Sequence, residues 1–545
     1  MLGALTITLL AYLMLAAAFY GLGFACIRVL GASTSERPEP LWLVWQGWGL
    51  YLLFLLSVHL FLPLQAAVVS PPLLLGLVVF LRAQPWRGLR LSWRHGVTCG
   101  LALPVATWVA ARSMLVPTNY DTGLYHLQSI RWDNTFPLVP GLGNLHDRLA
   151  FNQSFFEFAA ALNFHPYFGH GAALANSFLY LLTLASLMAL VSWRNFLQGC
   201  PLEKLSPLLP IAYLAYLGTH FSSLNSASPD LTGELLQILM LVSLTRQISR
   251  ISRGQTSPAL QDALLATLAA VAITVKLSNL VFSGLTLLVL VNNYRWQLLR
   301  HKRIFLMALA LLVVWSIRGY VLSGMPLFPL SLGRVPFEWA MPAKHADELR
   351  HVVRAWARQP GPDFRQADTG WAWTGPWLQR IYQSHWLEVV FPLALSGAAL
   401  AGALWLSRNG HRQPGWSLSA IPASAIVFWF AFGPDPRFGR ALFWCLAYTT
   451  SLQLLGLVYT QLSPRAYGAV ALTILCLCSR PLFSLTNLHL VSRSGWQNPP
   501  VVALRAQKTH GGLTIWIPEK GDQAWDGPLP STPYFRQEVG LRVPG

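Results

Sequence analysis

Asn119-Tyr120-Asp121-Thr122-Gly123-Leu124-Tyr125-His126, continuing through Arg131-Trp132-Asp133 to Gly143-Asn144-Leu145-His146-Asp147-Arg148, is a polar, aromatic-laced stretch set between apolar runs of membrane length. A run of about 20 apolar residues is a transmembrane helix. The polar stretch is then a loop at a membrane surface. Of the 545 residues, 54% are apolar or aromatic and 11% are charged, and the mean hydropathy is +0.44. A soluble domain does not have this composition. In lipid every backbone polar group needs an internal partner, which leaves helices or a closed barrel. These runs are too long and too continuously apolar for barrel strands.

The expected fold class is therefore an all-α, polytopic integral membrane protein with about 14 transmembrane helices and a small periplasmic C-terminal segment. The apolar segments lie near 4–27, 41–62, 64–81, 97–116, 168–191, 206–221, 232–246, 259–277, 279–293, 304–323, 386–407, 416–432, 441–460 and 466–483. The first run lacks a basic n-region and is long for a signal peptide, so it reads as a retained helix. Residues 1–483 form the expected helical domain, with large loops at 117–167 and 324–385; residues 484–545 form a cap. The net charge of +18 reads as basic loops against anionic lipid, with no nucleic acid as partner. Of the six cysteines, no pair reads as a disulfide or a zinc site.

Short loops carrying Arg82, Arg87, Arg90 and Arg94, then Arg246, Arg250 and Arg253, then Arg295, Arg300, Lys302 and Arg303, then Arg408 and Arg412 mark one side as cytoplasmic. The polar clusters all fall on the other side. They are the Asp121 loop, Ser228-Pro229-Asp230, Lys276-Leu277-Ser278-Asn279, the 324–385 loop and Pro434-Asp435-Pro436-Arg437-Phe438-Gly439-Arg440. Scattered structural polar residues would divide between the two faces.

Asp121 opens a juxtamembrane helix, with Tyr125 one turn later on its face and His126 beside it. It is either a helix cap or a general base at the bilayer boundary, where carboxylates are costly. His146, Asp147 and Arg148 crowd a second turn. A divalent metal on His146 and Asp147 stays open as an alternative. Adjacent residues point apart, so no cofactor is assigned. Asn152-Gln153-Ser154 matches a short glycosylation sequon. Ser228-Pro229-Asp230 reads as a cap, a first-turn proline and a first-turn acid. Asp230 and Glu234, spaced one turn apart at a helix mouth, can still contribute to a site. Lys276, Arg318, Arg437 and Arg440 are cations on the disfavoured side, which suits either a phosphate or lipid headgroups.

The layout resembles the GT-C superfamily of polyprenyl-phosphate-sugar-dependent glycosyltransferases. More narrowly, Tyr120-Asp121-Thr122-Gly123-Leu124-Tyr125-His126, Pro140-Gly141-Leu142-Gly143-Asn144-Leu145-His146, Ser228-Pro229-Asp230, Pro434-Asp435-Pro436-Arg437-Phe438 and Trp525-Asp526-Gly527-Pro528-Leu529-Pro530 resemble an uncharacterised family of bacterial polytopic membrane proteins. The superfamily implies a GT-C-like fold in the bacterial inner membrane with its active face outside. It also implies a polyprenyl-phosphate-linked sugar as donor and a cell-surface glycan or lipid as acceptor. By position Asp121 matches the acid that activates the acceptor, with His126, His146 and Asp147 as catalytic neighbours. Tyr125, Arg148, Asp230, Lys276, Arg318, Arg437 and Arg440 are the candidate substrate-binding set. The chain departs from the superfamily in two places: about four helices precede the loop, and Thr122 stands where a second acid is frequent. An O-antigen ligase or polymerase, or a flippase or other transporter, are the rival readings.

The topology is checked by cysteines placed at Thr135, Gln366 and Gln523 in a cysteine-free background. All three should react with a membrane-impermeant thiol reagent in whole cells. Labelling only after permeabilisation would reverse the assigned sides.

Overall fold

The protein is seen in a computed structural model that describes residues 2–29, 39–87, 93–190, 200–201, 207–220, 223–252, 259–294, 302–408, 417–457, 461–462 and 495–541. Each expected apolar segment falls on a helix except 466–483, which lies outside the described residues. The chain is overwhelmingly helical. It runs α1 (Leu2–Val29), α2 (Pro40–Val58), α3 (Ala66–Ala83) and α4 (Trp93–Ser113), then two short helices, α5 (Leu127–Thr135) and α6 (Ser154–Leu162), from the long first loop. Next come α7 (Gly171–Met188), α8 (Leu208–His220), α9 (Pro229–Ser252), α10 (Ala259–Val275), α11 (Leu280–Tyr294) and α12 (Lys302–Ser323). The 324–385 loop contributes α13 (Ala343–Arg358) and α14 (Thr374–Ser384), and α15 (Phe391–Arg408), α16 (Ser417–Phe432) and α17 (Pro436–Leu457) follow.

Among the described residues, six helical stretches are long and apolar enough to cross a membrane: Leu2–Val29, Pro40–Val58, Ala66–Ala83, Gly171–Met188, Phe305–Ser323 and Trp386–Arg408. Four shorter apolar helices accompany them. The chain is thus a multi-pass, helical membrane protein.

Glycine sets how α1, α2 and α3 meet. Lipid tails are as apolar as leucine, so membrane helices associate through close packing, and small residues permit it. A Cβ on Gly47 of α2 would run into the Phe19 carbonyl of α1, and one on Gly23 into the Leu43 carbonyl. On the α1–α3 side, Gly21 and Gly76 are notched in the same way, against the Gly76 and Ala18 carbonyls. Around this seam Phe19, Trp45, Trp48, Tyr51 and Phe158 are fully buried, and Trp48 meets Phe158 edge-on with centroids 5.8 Å apart.

Buried amides tie the irregular segments to the bundle, because an unpaired polar group there would cost a hydrogen bond. Asn176 of α7 donates to the carbonyls of Ser226 and Ser228, both at 2.8 Å, which fixes the start of α9. Asn134 of α5 donates to the carbonyls of Leu64 and Ala160 at 2.8 and 2.9 Å.

The C-terminal segment carries two antiparallel strands, β1 (Leu504–Lys508) and β2 (Thr514–Pro518), with Ala506 opposite Trp516. It lies over the 117–148 loop. Trp525 N–H donates to the Gly123 carbonyl at 2.8 Å. The Gln128 amide donates to the carbonyls of Trp525 and Gly527 at 2.9 and 3.1 Å.

The seam is tested by Gly47→Ala. The neighbouring atom is backbone and cannot yield, so overpacking should cost about 1–3 kcal/mol despite the better helix propensity of alanine. Gly284→Ala, which meets nothing within 4 Å, is the control and should not lower the melting temperature. Equal melting temperatures for both variants would dismiss the seam.

Candidate functional site

Five segments far apart in sequence meet at one charged cluster. The loop after α4 does not open in a regular α-helix, as expected, but in a π-helical turn, Thr122–His126, that runs into α5. Such turns often accompany functional sites. Asp121 stands at its N-cap position, yet its side chain makes no capping hydrogen bond. The carboxylate instead lies between two guanidinium groups: Arg437 Nη1 is 3.0 Å from Oδ2 and Arg148 Nη1 is 3.6 Å from Oδ1.

Arg437 reaches a second carboxylate, with its Nε 3.7 Å from Asp230 Oδ2. Asp230 is also paired with Lys276. Ser228 hydroxyl accepts from Asp230 N–H at 3.3 Å and Pro229 opens α9, so the start of that helix follows the sequence pattern. Phe438 lies under both cations, with Lys276 4.4 Å and Arg437 4.9 Å from its ring centroid.

Arg437 owes its position to a built turn. Asp435 caps α17 by accepting from Arg437 N–H at 2.9 Å. The indole N–H of Trp429 donates to the Asp435 carbonyl at 2.8 Å, and that of Trp377 to the Pro434 carbonyl at 2.7 Å. Trp377 belongs to α14, so the large aromatic loop buttresses this turn. A cation in the first turn of a helix opposes the helix dipole. The turn is therefore built to present Arg437 to its carboxylates at a local cost.

One turn deeper a second pair repeats the first. Arg440 Nε is 2.8 Å from Glu234 Oε1, and Tyr213 hydroxyl donates to Glu234 Oε2 at 2.9 Å. Asp230 and Glu234 on α9, with Arg437 and Arg440 on α17, make two rungs between helices that start at the same end.

The histidines line the site without touching its carboxylate. His126 Nδ1 lies 3.3 Å from Thr122 Oγ1, and its ring meets Tyr125 edge-on at 4.4 Å. His146 faces Asp147 at 3.7 Å and the ring of Tyr534, from the C-terminal segment, at 5.2 Å. Burial pushes the His126 imidazole down to about 4, against the opposing pull of Asp121 and Asp230. Burial, then Arg148 and Arg536, pushes His146 down to about 3. Both rings are neutral at pH 7. Burial raises Asp147 above the usual carboxylate range.

Arg148 also sits 5.8 Å from the Tyr125 ring centroid. The cap closes over this side: Tyr120 hydroxyl bonds Asp522, and Gln523 donates to the Tyr120 carbonyl at 2.7 Å.

Arg318 is not part of this cluster. It is buried on α12 with Glu157, Asn152 and His59. Phe156 separates the two places, packing on Tyr125 and His126 while lining the cavity beside Arg318. Asn152 is no glycan acceptor here: its amide donates to the Trp315 carbonyl at 2.7 Å. Glu234, one turn after Asp230 at the mouth of α9, was legible as a contributor, and Asp133 lay in the quoted stretch without a role; Tyr213, Glu157 and the Asp522–Trp525 contacts escaped the sequence reading. An acid inside Phe155-Phe156-Glu157-Phe158 was the one available signal.

Residues 5–444 match the family described as Domain of unknown function (DUF8201). The chain belongs to that family. No curated protein and no solved structure matches it. The family match ends inside α17 but includes Asp121, Arg148, Asp230, Lys276, Arg437 and Arg440.

The buried histidines set a pH dependence. A histidine held below its ordinary 6.5 stabilises the fold fully above that value. This stability is lost as pH falls through the folded value. The melting temperature should therefore drop between pH 6.5 and about 4. His126→Gln keeps an amide for Thr122 and removes the titration, so its profile over that window should be shallower. An unchanged slope would show that His126 does not titrate there.

Proposed function

We propose that the chain is a membrane glycosyltransferase. It moves a sugar from a polyprenyl-phosphate-linked donor to a cell-envelope glycan or lipid acceptor on the outer face of the bacterial inner membrane. The observation that carries this reading is one charged cluster built from separate segments, in which Arg148 and Arg437 flank Asp121 while Arg437 and Lys276 flank Asp230. Three cations face two carboxylates, so the cluster has a formal charge of +3 − 2 = +1 and takes one further anion. The parallel α9 and α17 both begin at this place, and helix N-termini favour anions. A phosphodiester fits that description. Guanidinium groups offer it forked hydrogen bonds and Lys276 a point charge.

The chemistry follows from the charges. The bond between the sugar anomeric carbon and the phosphate oxygen breaks, and polyprenyl phosphate leaves with the electron pair. Arg437, Arg148 and Lys276 offset the charge that develops on it. The acceptor oxygen bonds the anomeric carbon from the opposite face, and its proton passes to Asp121. Asp121 is held ready by the same arginines. A donor phosphate that draws Arg437 toward itself frees one carboxylate oxygen for the acceptor hydroxyl. The cap residue Tyr534, 43% exposed, offers a ring face to a sugar, while Tyr125 is buried beneath Arg148 and supports that cation. The finer architecture, with about 14 spans, a GT-C-like arrangement and a periplasmic C-terminal cap, belongs to this proposal. It is supported by helices at the expected segments and by the cap's contacts with the Asp121 loop.

The test pairs activity with stability. Asp121→Asn should insert and purify like the parent but lose transfer by about a hundredfold or more, the scale of a lost general base. Arg437→Ala should weaken donor binding by about tenfold or more, since a charged hydrogen bond is worth roughly 1.5–3 kcal/mol. Arg437→Lys should recover part of that. A folded, fully active Asp121→Asn protein would discard the base and favour an arginine-led ligase or a transporter.

A further inference from the structure

A second cluster lies behind Phe156, outside the proposed transfer site. His59 follows α2, Asp133 is on α5, Glu157 on α6 and Arg318 on α12. They line one cavity of about 30 Å³ together with Gln153 and Asn152. That volume holds about one water-sized particle. Glu157 and Gln153 are each more than nine-tenths buried, and the Asp133 side chain is 12% exposed.

Three oxygen atoms in this cluster have no hydrogen-bond partner: Asp133 Oδ2, Glu157 Oε2 and Gln153 Oε1. Buried acceptors are ordinarily satisfied. These three come from residues on separate turns, and all three residues line the same cavity. Ligand atoms of His59, Asp133 and Glu157 lie within 4.8 Å of one another.

His59 is already committed. Its Nδ1 faces Arg318 Nη1 at 3.0 Å, and its Nε2 faces the Phe136 carbonyl at 3.1 Å. Arginine only donates, so Nδ1 accepts and the proton sits on Nε2. The ring is neutral, with no lone pair left for a ligand. The donor set is therefore all oxygen, which selects a hard cation over zinc or copper.

Charge chooses between hard cations. Arg318 is paired with Glu157, and with Asp133 the formal sum is +1 − 1 − 1 = −1. One positive charge restores neutrality in an apolar surrounding. A divalent ion would leave an excess beside a guanidinium. A proton would balance the charge, but it bridges at most two of the three unpartnered oxygens.

We propose that this cavity binds a single sodium ion, held by Asp133, Glu157 and Gln153 and flanked by Arg318. The site joins α5 and α6 of the first long loop to α2 and α12, so the ion ties that loop to the bundle. A proton on Asp133 competes with it, and the charged or titratable groups facing Asp133 are Glu157, Arg318 and His59.

The experiment is thermal unfolding of the purified full-length protein in detergent, titrated with sodium chloride, calcium chloride or choline chloride at equal ionic strength. Ligand that binds only the folded state shifts the folding equilibrium by about a hundredfold at a hundred-fold excess over Kd. A saturable rise in melting temperature with sodium, and none with choline, is expected. Asp133→Asn keeps the Arg318–Glu157 pair and removes one ligand charge, so it should fold and lose the sodium-specific rise. Glu157→Gln leaves a buried guanidinium unpaired and is not the diagnostic variant. Equal curves with sodium and choline, or an Asp133→Asn protein that keeps the sodium response, overturn the site. A rise with calcium alone overturns the monovalent assignment. A response to pH but to none of the salts assigns the cavity to a proton. No outcome depends on sugar transfer, so failure here leaves the proposed activity standing.

Discussion

The Arg437 guanidinium touches both carboxylates of the charged cluster, 3.0 Å from Asp121 and 3.7 Å from Asp230. Removing one charge from such a partly buried network leaves the others uncompensated, and that penalty is larger than the net worth of the pair. The positions of Asp121 on its π-turn, of Lys276 at the α10–α11 corner and of the α9 N-terminus are therefore mutually dependent. The Trp377 and Trp429 hydrogen bonds that build the Asp435 turn are what aim Arg437. The 324–385 loop thus supports the charged cluster from outside it, through these indoles and through Arg380, 3.7 Å from Asp435 Oδ2.

The site is assembled from irregular backbone resting on regular helices. Helices close-packed through glycine supply a rigid frame. Asn176 and Asn134 then fasten loop carbonyls to that frame with hydrogen bonds that water cannot replace. The Gly123–Trp525 contact carries the same logic to the C-terminal segment. A Cβ at Gly123 would stand 2.6 Å from a Trp525 ring atom, so the cap and the π-turn fit only because that position is bare. Polar satisfaction explains the location of each loop better than local propensity does.

The helices were legible in the sequence because a long apolar run has one stable solution in lipid. Asp121, Arg148, Asp230, Lys276 and Arg437 were also legible as a group, since all five lie in, or at the edges of, the loops that alternate with the arginine-rich ones. Depth and rotation could not be read. Arg318 looked equivalent to Arg437 on that criterion, but its face of α12 turns it toward Glu157 and His59. Glu157 was hidden inside an aromatic run, and Asp133 within a polar helix. Their meeting depends on how α5 and α6 fold back across α2, which periodicity does not encode. The capping role proposed for Asp121 was chemically sound for its position and failed because two arginines from elsewhere compete for the same oxygens. Ser228-Pro229 kept its expected local role, while Asp230 added partners to it.

The two rungs between α9 and α17 also act as a register stop. On α9 the acids are four residues apart and on α17 the arginines are three apart, so the two spacings do not match along the axis. A slide of one helical turn, about 5.4 Å, would bring Glu234 against Arg437 and strand Arg440 without its acid in an apolar layer. Intermediate positions pair neither. The two helices accordingly have one well-satisfied setting and one poor neighbour, so any shear between them proceeds as a step and not as a continuous drift. Each rung has further partners that hold it: the Tyr213 hydroxyl on Glu234 at the inner one, and Lys276 on Asp230 with Asp121 on Arg437 at the outer one.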